Sequence, residues 1–349
     1  MEMTVQQPTS KKYEIVKDDT VKTWGGRTLF RIRALVDIAA MSISAGDLGG
    51  YIEREENLSQ VYGDAWVSGN ARVSGNARVS GNAQVSGDAR VYGNARVYGN
   101  ARVYGNARVS GDARVYGNAQ VSGNARVSGD ARVYGNAQVY GNARVSGDAR
   151  VYGNARVYGN ARVYGNARVS GDARVYGNAQ VSGNARVSGD ARVYGNAQVY
   201  GNARVSGDAR VYGNARVYGN ARVYGNARVS GDARVYGNAQ VSGDARVSGD
   251  ARVYGDAWVY RPNHLGWFSC VGSENGTLCW FIQKDRGVRV SRGCFAGSLE
   301  EFGEAVDERH GDGPDGQQYR LLIKFIELRA AEALKDFHAE DAPAPAEAA

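Results

Sequence analysis

Valine returns at every sixth position from Val61 to Val253, and alanine stands four residues after each one. The full unit reads V-[SY]-G-[ND]-A-[RQW], and 33 copies run without insertion from Val61 to Trp258. In the order A-R-V-Y, alanine and valine are two apart and share one face of an extended chain, while arginine and tyrosine or serine turn to the other. The Gly-Asn or Gly-Asp pair that follows has turn chemistry. Glycine takes positive φ without steric cost, and Asn or Asp tolerates it better than other residues. A bend every six residues, closed after three, predicts a triangular coil of 18 residues and hence 11 coils. The expected fold class is mainly β: a single-stranded parallel β-helix with an N-terminal cap and a small C-terminal α+β module. At about 4.8 Å per coil the array would make a rod roughly 50 Å long.

Burying one valine is worth about 1.5–3 kcal/mol, whereas ordering the backbone costs about 1–2 kcal/mol per residue. Three valines cannot hold one coil, so stability has to come from stacking on neighbours. A regular β-branched position separates such a tract from disordered low-complexity sequence.

The flanks lose the period. Thr28–Val36 reads as a strand, and Ile52 with Leu58 suggests an imperfect first coil. Trp66 and Trp258 stand in the outward arginine slot of the two V-Y-G-D-A-W units that bound the array, where packing against the flanking segments is expected. Beyond Trp258, Leu265–Val271, Thr277–Gln283 and Val288–Cys294 read as strands, and Gly293–Gly297 as a tight turn. Ser298 with Glu301 forms a capping box for a helix to about His310. A second helix, about Gln318–Phe337, is expected to place Leu321, Leu322, Phe325, Ile326 and Leu328 on one apolar side. The expected organisation is a loose tail at 1–11, a cap at 12–60, the solenoid at 61–258, the α+β module at 259–338 and a disordered tail at 339–349.

Residues 91–150 and 151–210 are identical, and 211–250 repeat the first 40 of them with one change, at Asp244. Sixty residues are ten units, which is not a multiple of three, so each duplicated block lands one face further round the triangle. Asp112, Asp130 and Asp148 should follow one edge, and Asp172, Asp190 and Asp208 another. A ligand site on one face would not be extended by such a duplication. The Asp columns are read as turn residues offsetting arginine rather than as Ca²⁺ ligands. Tyr98, Tyr116, Tyr134 and Tyr152 should form an aromatic column, and Arg72, Arg90, Arg108, Arg126, Arg144 and Arg162 a ladder able to contact a polyanion.

Charge sharpens this picture. The array carries 25 Arg and 12 Asp, a net +13 within a chain of +7. Weak, salt-sensitive attraction for nucleic acid or another polyanion follows, although the pattern spreads the charge evenly with no concentrated patch. Three cysteines, Cys270, Cys279 and Cys294, and a polar N-terminus suggest a reducing compartment, a bacterial cytoplasm or a virion. No apolar run is long enough to span a membrane.

The array resembles the hexapeptide-repeat, left-handed β-helix superfamily, best known for trimeric acyltransferases; the left-handed coil is what that resemblance implies. Leu48–Gln60 followed by Gly63-Asp64-Ala65-Trp66 looks like the entry segment of uncharacterised enterobacterial hexapeptide-repeat proteins that carry an acetyltransferase label. The C-terminal segment resembles a small module of phage and prophage proteins. It does so through Val271-Gly272-Ser273, Gly276-Thr277-Leu278, Gly293-Cys294-Phe295, Gly297, Leu299, Phe302, Val306, His310-Gly311 and Tyr319.

The acyltransferases use a histidine as general base, a group titrating near neutrality. Here His264, His310 and His338 all lie beyond the array, and no family catalytic motif surrounds them. Cys294 and His310 lack a metal-ligand spacing, and a buried thiol beside a helix-end histidine is the expected reading. The expectation is a non-enzymatic phage or prophage scaffold without cofactor or metal. It would meet a protein partner through the C-terminal module, with Gly293, Cys294, Phe295, Phe302, His310 and Tyr319 as candidate contacts. The alternatives are polyanion binding through the Arg and Tyr ladders, an acyltransferase-like enzyme, or an end-to-end polymer of the bactofilin kind. The pattern leaves the oligomeric state open.

Overall fold

In every hexad the backbone turns where glycine stands. The array glycines take φ between 55° and 73°, and no Asn or Asp of the array joins them, so glycine alone carries the left-handed conformation. Close stacking adds a second demand: a Cβ on Gly117 would stand 3.0 Å from the Gly135 nitrogen of the next coil. Each side of a coil then holds its neighbour by two or three backbone bonds. Arg90 N donates to Ala107 O (2.9 Å), Tyr92 N to Val109 O (3.0 Å) and Asn94 N to Gly111 O (2.9 Å). This pairing lets strands of only two residues suffice.

The computed structural model describes residues 11–61 and 63–335. Most of the expected N-terminal tail, Phe337, His338 and the tail at 339–349 lie outside the described residues. The chain divides into two units, residues 1–190 and 191–349.

In the first unit, β1 (Tyr13–Lys22) pairs antiparallel with β2 (Thr28–Ala34), and β2 with β3 (Leu48–Ile52). β3 switches to parallel pairing, with Ile52 opposite Val73. Leu58 bridges Val79 in the same sense, so Ile52 and Leu58, both buried, begin an imperfect coil. Asn57 locks its corner. Its buried Nδ2 donates to Gly75 O (3.0 Å) and Ala77 O (2.8 Å), while its Oδ1 accepts from Glu53 N and Arg54 N. Leu29, Ile32 and Tyr13 are fully buried within the cap, and the Tyr13 hydroxyl donates to Leu58 O at 2.8 Å. Seven regular coils follow, from Trp66–Val67 to Arg186–Val187, in three parallel sheets in which valine pairs with valine.

The second unit contains four coils, from Arg192–Val193 to Trp258–Val259, and the α+β module. Its four strands, Leu265–Val271, Gly276–Ile282, Val288–Arg292 and Phe295–Ser298, form an antiparallel sheet in chain order. Gly276–Ile282 is buried on both faces. Cys279 and Phe281 point to the last coil, where Phe281 packs edge-on against Tyr254 at 5.2 Å and the Cys279 thiol donates to Arg252 O at 3.3 Å. Leu278, Trp280 and Ile282 point to the helices α1 (Leu299–His310) and α2 (Pro314–Lys335). Ser298 caps α1 with the expected reciprocal box: Glu301 N donates to Ser298 Oγ and Ser298 N to Glu301 Oε2.

Four expectations are corrected. The buried valines are offset by one unit: Val61 is 68% exposed, whereas Val259, after the last hexad, is fully buried, although Ala65 and Trp66 of the first unit are inside. A side of the coil is A-[RQW]-V, so a valine with no such tripeptide before it has no side to fill. The turn expected at Gly293–Gly297 is shorter. Gly293 takes φ 59°, and Phe295–Ser298 returns as a fourth strand. α2 starts at Pro314, because proline suits the first turn of a helix. Its buried face is Tyr319, Ile326, Ala330 and Ala333, while Leu321, Phe325 and Leu328 are exposed. Small alanines allow close packing, so the inner face is not the one with the largest apolar residues.

Candidate functional site

The outer surface of the first unit is built as ladders. Arg72, Arg90, Arg108, Arg126, Arg144 and Arg162 are register partners in one sheet, and Gln180 follows Arg162. Tyr98, Tyr116, Tyr134 and Tyr152 stack face to face with centroids 4.9–5.0 Å apart. Burial pushes the Tyr98 and Tyr134 phenols above their usual range, and the Tyr116 phenol between them adds to the effect. At the corners, asparagine amides link coil to coil, as where Asn118 Nδ2 donates to Asn136 Oδ1 at 3.1 Å. Asp112 takes such a place by accepting from Asn94 at 3.1 Å. The register sets Asp112, Asp130 and Asp148 beside one sheet and Asp172 beside another. Among the described residues no group of three His, Cys, Asp or Glu side chains could hold a metal ion.

Charge on this unit is locally concentrated, contrary to the even spread read from the pattern. A groove of about 1420 Å³ is lined by Lys22, Arg27, Arg54, Arg72, Arg90 and Arg108, with Glu53 as its one carboxylate. Burial raises the Glu53 pKa, but the Gly75 N–H and the Arg27 guanidinium outweigh it and hold the carboxyl below its usual range. Trp24, at the tip of the β1–β2 hairpin, lies fully exposed on the groove wall, and Tyr92 is 42% exposed. The signal in the sequence was a tryptophan inside a turn, T-W-G-G, where no core could receive it.

Of the two array-bounding tryptophans, Trp66 is buried and Trp258 half-buried. Trp66 is 3% exposed and meets Tyr13 edge-on at 6.5 Å. Trp258 lies 5.9 Å from Tyr260 and packs against the core of the α+β module.

The six candidate contacts of that module separate. Phe302 and Tyr319 are buried and meet edge-on at 5.6 Å, Phe295 leans on Phe302 at 5.1 Å, and His310 lies 5.5 Å from Tyr319. They form an aromatic seam with Phe302 and Tyr319 buried and Phe295 and His310 half-buried at its edges. Gly293 is a turn residue, and Cys294 is exposed rather than buried because it sits on that turn. The exposed apolar residues are instead Leu321, Phe325 and Leu328, at i, i+4 and i+7 of α2. A pocket of about 260 Å³ lies between the last coils and the sheet, with Arg234, Arg252 and Arg292 facing Asp232 and Asp250.

Of the three thiols, Cys270 and Cys294 are exposed and Cys279 is buried. Burial pushes the Cys279 thiol up to about 12, with its bond to Arg252 O opposing weakly. Native protein at mildly alkaline pH is expected to release two equivalents in a thiol-titration assay and the third only on unfolding. A raised folded pKa leaves stability intact below the free-thiol value of about 8.5 and erodes it as pH climbs toward the folded value. Three fast thiols in the native state would contradict this burial.

A family model described as YdcK Beta solenoid repeat matches the array in overlapping windows from residues 71–87 to 245–261, together taking in 71–195 and 197–261 and so more than half of the chain. Among solved structures, LpxA from Acinetobacter baumannii is similar over 49% of this chain and 71% of that one, at 11% identity and a TM-score of 0.24. No curated protein matches.

Proposed function

The chain belongs to the YdcK beta solenoid repeat family, and from that premise we propose that it is a non-enzymatic scaffold of phage or prophage origin whose coils carry a C-terminal interaction module. One observation supports this reading above others. Most outward side chains of the coils stand beside their own kind in the next coil, arginine beside arginine, tyrosine on tyrosine and asparagine bonded to asparagine. Such a surface is repetitive support. Chemical variety is concentrated in the α+β module, whose sheet rests on the last coil and whose α2 turns Leu321, Phe325 and Leu328 outward.

The partner meets that stripe with an apolar strip of its own. The test is crosslinking and capture on the full-length chain expressed in bacterial cells, beside L321E/L328E. Both leucines are at least 69% exposed, so the double variant keeps the fold. A partner retained by the parent and lost by the variant is the expected result. Equal capture by both, or turnover of acyl donors by the purified chain, overturns the reading.

A further inference from the structure

We propose that the groove beneath the β1–β2 hairpin is a binding site for single-stranded nucleic acid. This rests on the first unit alone and is independent of the scaffold reading. Its floor is the start of the arginine ladder, Arg72, Arg90 and Arg108, which are direct register partners. Rungs of a parallel sheet repeat at about 4.8 Å, so the guanidinium groups form a line rather than a patch. Among the described residues, none of these three arginines nor Lys22 makes an ion pair. Arg27 and Arg54, by contrast, are drawn in at the rim: Arg27 pairs with Glu53 at 3.2 Å, and Arg54 donates to Gly75 O at 2.8 Å. The line of free cations is matched to a flexible polyanion, and planar guanidinium forks favour phosphate.

The aromatic groups give the second, independent observation. Tyr98, Tyr116, Tyr134 and Tyr140 on this unit stack on tyrosines 18 residues away, whereas Tyr92, Tyr104 and Tyr164 have serine at both such places, and of these three Tyr92 alone lines the groove. Tyr92 has Ser74 and Ser110 there, so no neighbouring ring stacks on it, and it is 42% exposed. Trp24, fully exposed, lines the same groove. Exposed aromatic faces beside a cationic track are the combination that binds unpaired bases through stacking and phosphates through charge. A duplex keeps its bases stacked within itself and would leave Trp24 and Tyr92 unused.

The test is fluorescence anisotropy of a labelled oligothymidylate of about 12 nucleotides with the full chain, across a salt series. Four uncompensated cations predict a slope of log K against log salt of about −3. W24A is expected to weaken binding about tenfold, and Y92S several-fold. R72Q/R90Q/R108Q is expected to flatten the slope by about 2. The control, R96Q/R114Q/R132Q, removes the same charge from another face and is expected to change affinity less than twofold. Equal weakening by the two triple variants, with W24A silent, would show diffuse attraction to a basic protein and overturn the site. So would the absence of any binding. Tighter, Trp24-dependent binding of a sulfated polysaccharide would overturn the nucleic-acid assignment.

Discussion

V139D is expected to cost about 5 kcal/mol or more and to split the thermal unfolding of the array into two transitions. Val139 is completely buried and lies between Val121 and Val157 in its sheet. An aspartate there loses the transfer energy of the valine, about 1.5–3 kcal/mol, and must also enter an apolar interior without a partner, either unpaired or protonated. Solenoid stability is a sum over neighbouring coils, so one broken interface lets the two flanks melt separately. Calorimetry of the variant against the parent checks this. A single transition at an unchanged temperature would mean that the interior is not dry.

The second large effect is expected from W280A, at about 3–5 kcal/mol. Trp280 is 1% exposed at the centre of the α+β core, and Gly266 on the adjacent strand leaves room for its indole, where a Cβ would collide. Its removal opens a void between the sheet and both helices, with Phe302, Val306 and Ile326 on the same core wall. The coils keep their own ladders. Circular dichroism should therefore show helical signal melting at a lower temperature in W280A while the β signal persists. Loss of both signals together would mean that the module and the coils beneath it unfold as one.

How much of this was written in the residues depends on whether a position is fixed by its neighbours along the chain or by neighbours across space. The valine and alanine interior, the glycine corners, the six-rung arginine ladder and the tyrosine stack all follow from a six-residue period, and all are present. So does the Ser298–Glu301 cap, since its two bonds close within four residues. The readings that failed needed tertiary information. Val61 has the correct letters but no tripeptide before it to make a side. The largest apolar residues of α2 point to the wrong face, because the core takes Ala330 and Ala333 instead. The basic groove was hidden because Lys22, Trp24, Arg54 and Arg72 are brought together by the hairpin folding back along the ladder, not by sequence spacing.

The cap at Asn57 has a further consequence. Valine meets valine in every regular coil, so a growing solenoid displaced by a whole turn would satisfy the same bonds. Toward the regular coils, the Asn57 amide is tied to Gly75 and Ala77, and Leu58 to Val79. These pairings make the amino-terminal fold the address from which the turns are counted, and a newly made chain that starts elsewhere has nothing to tell it that it is out of phase.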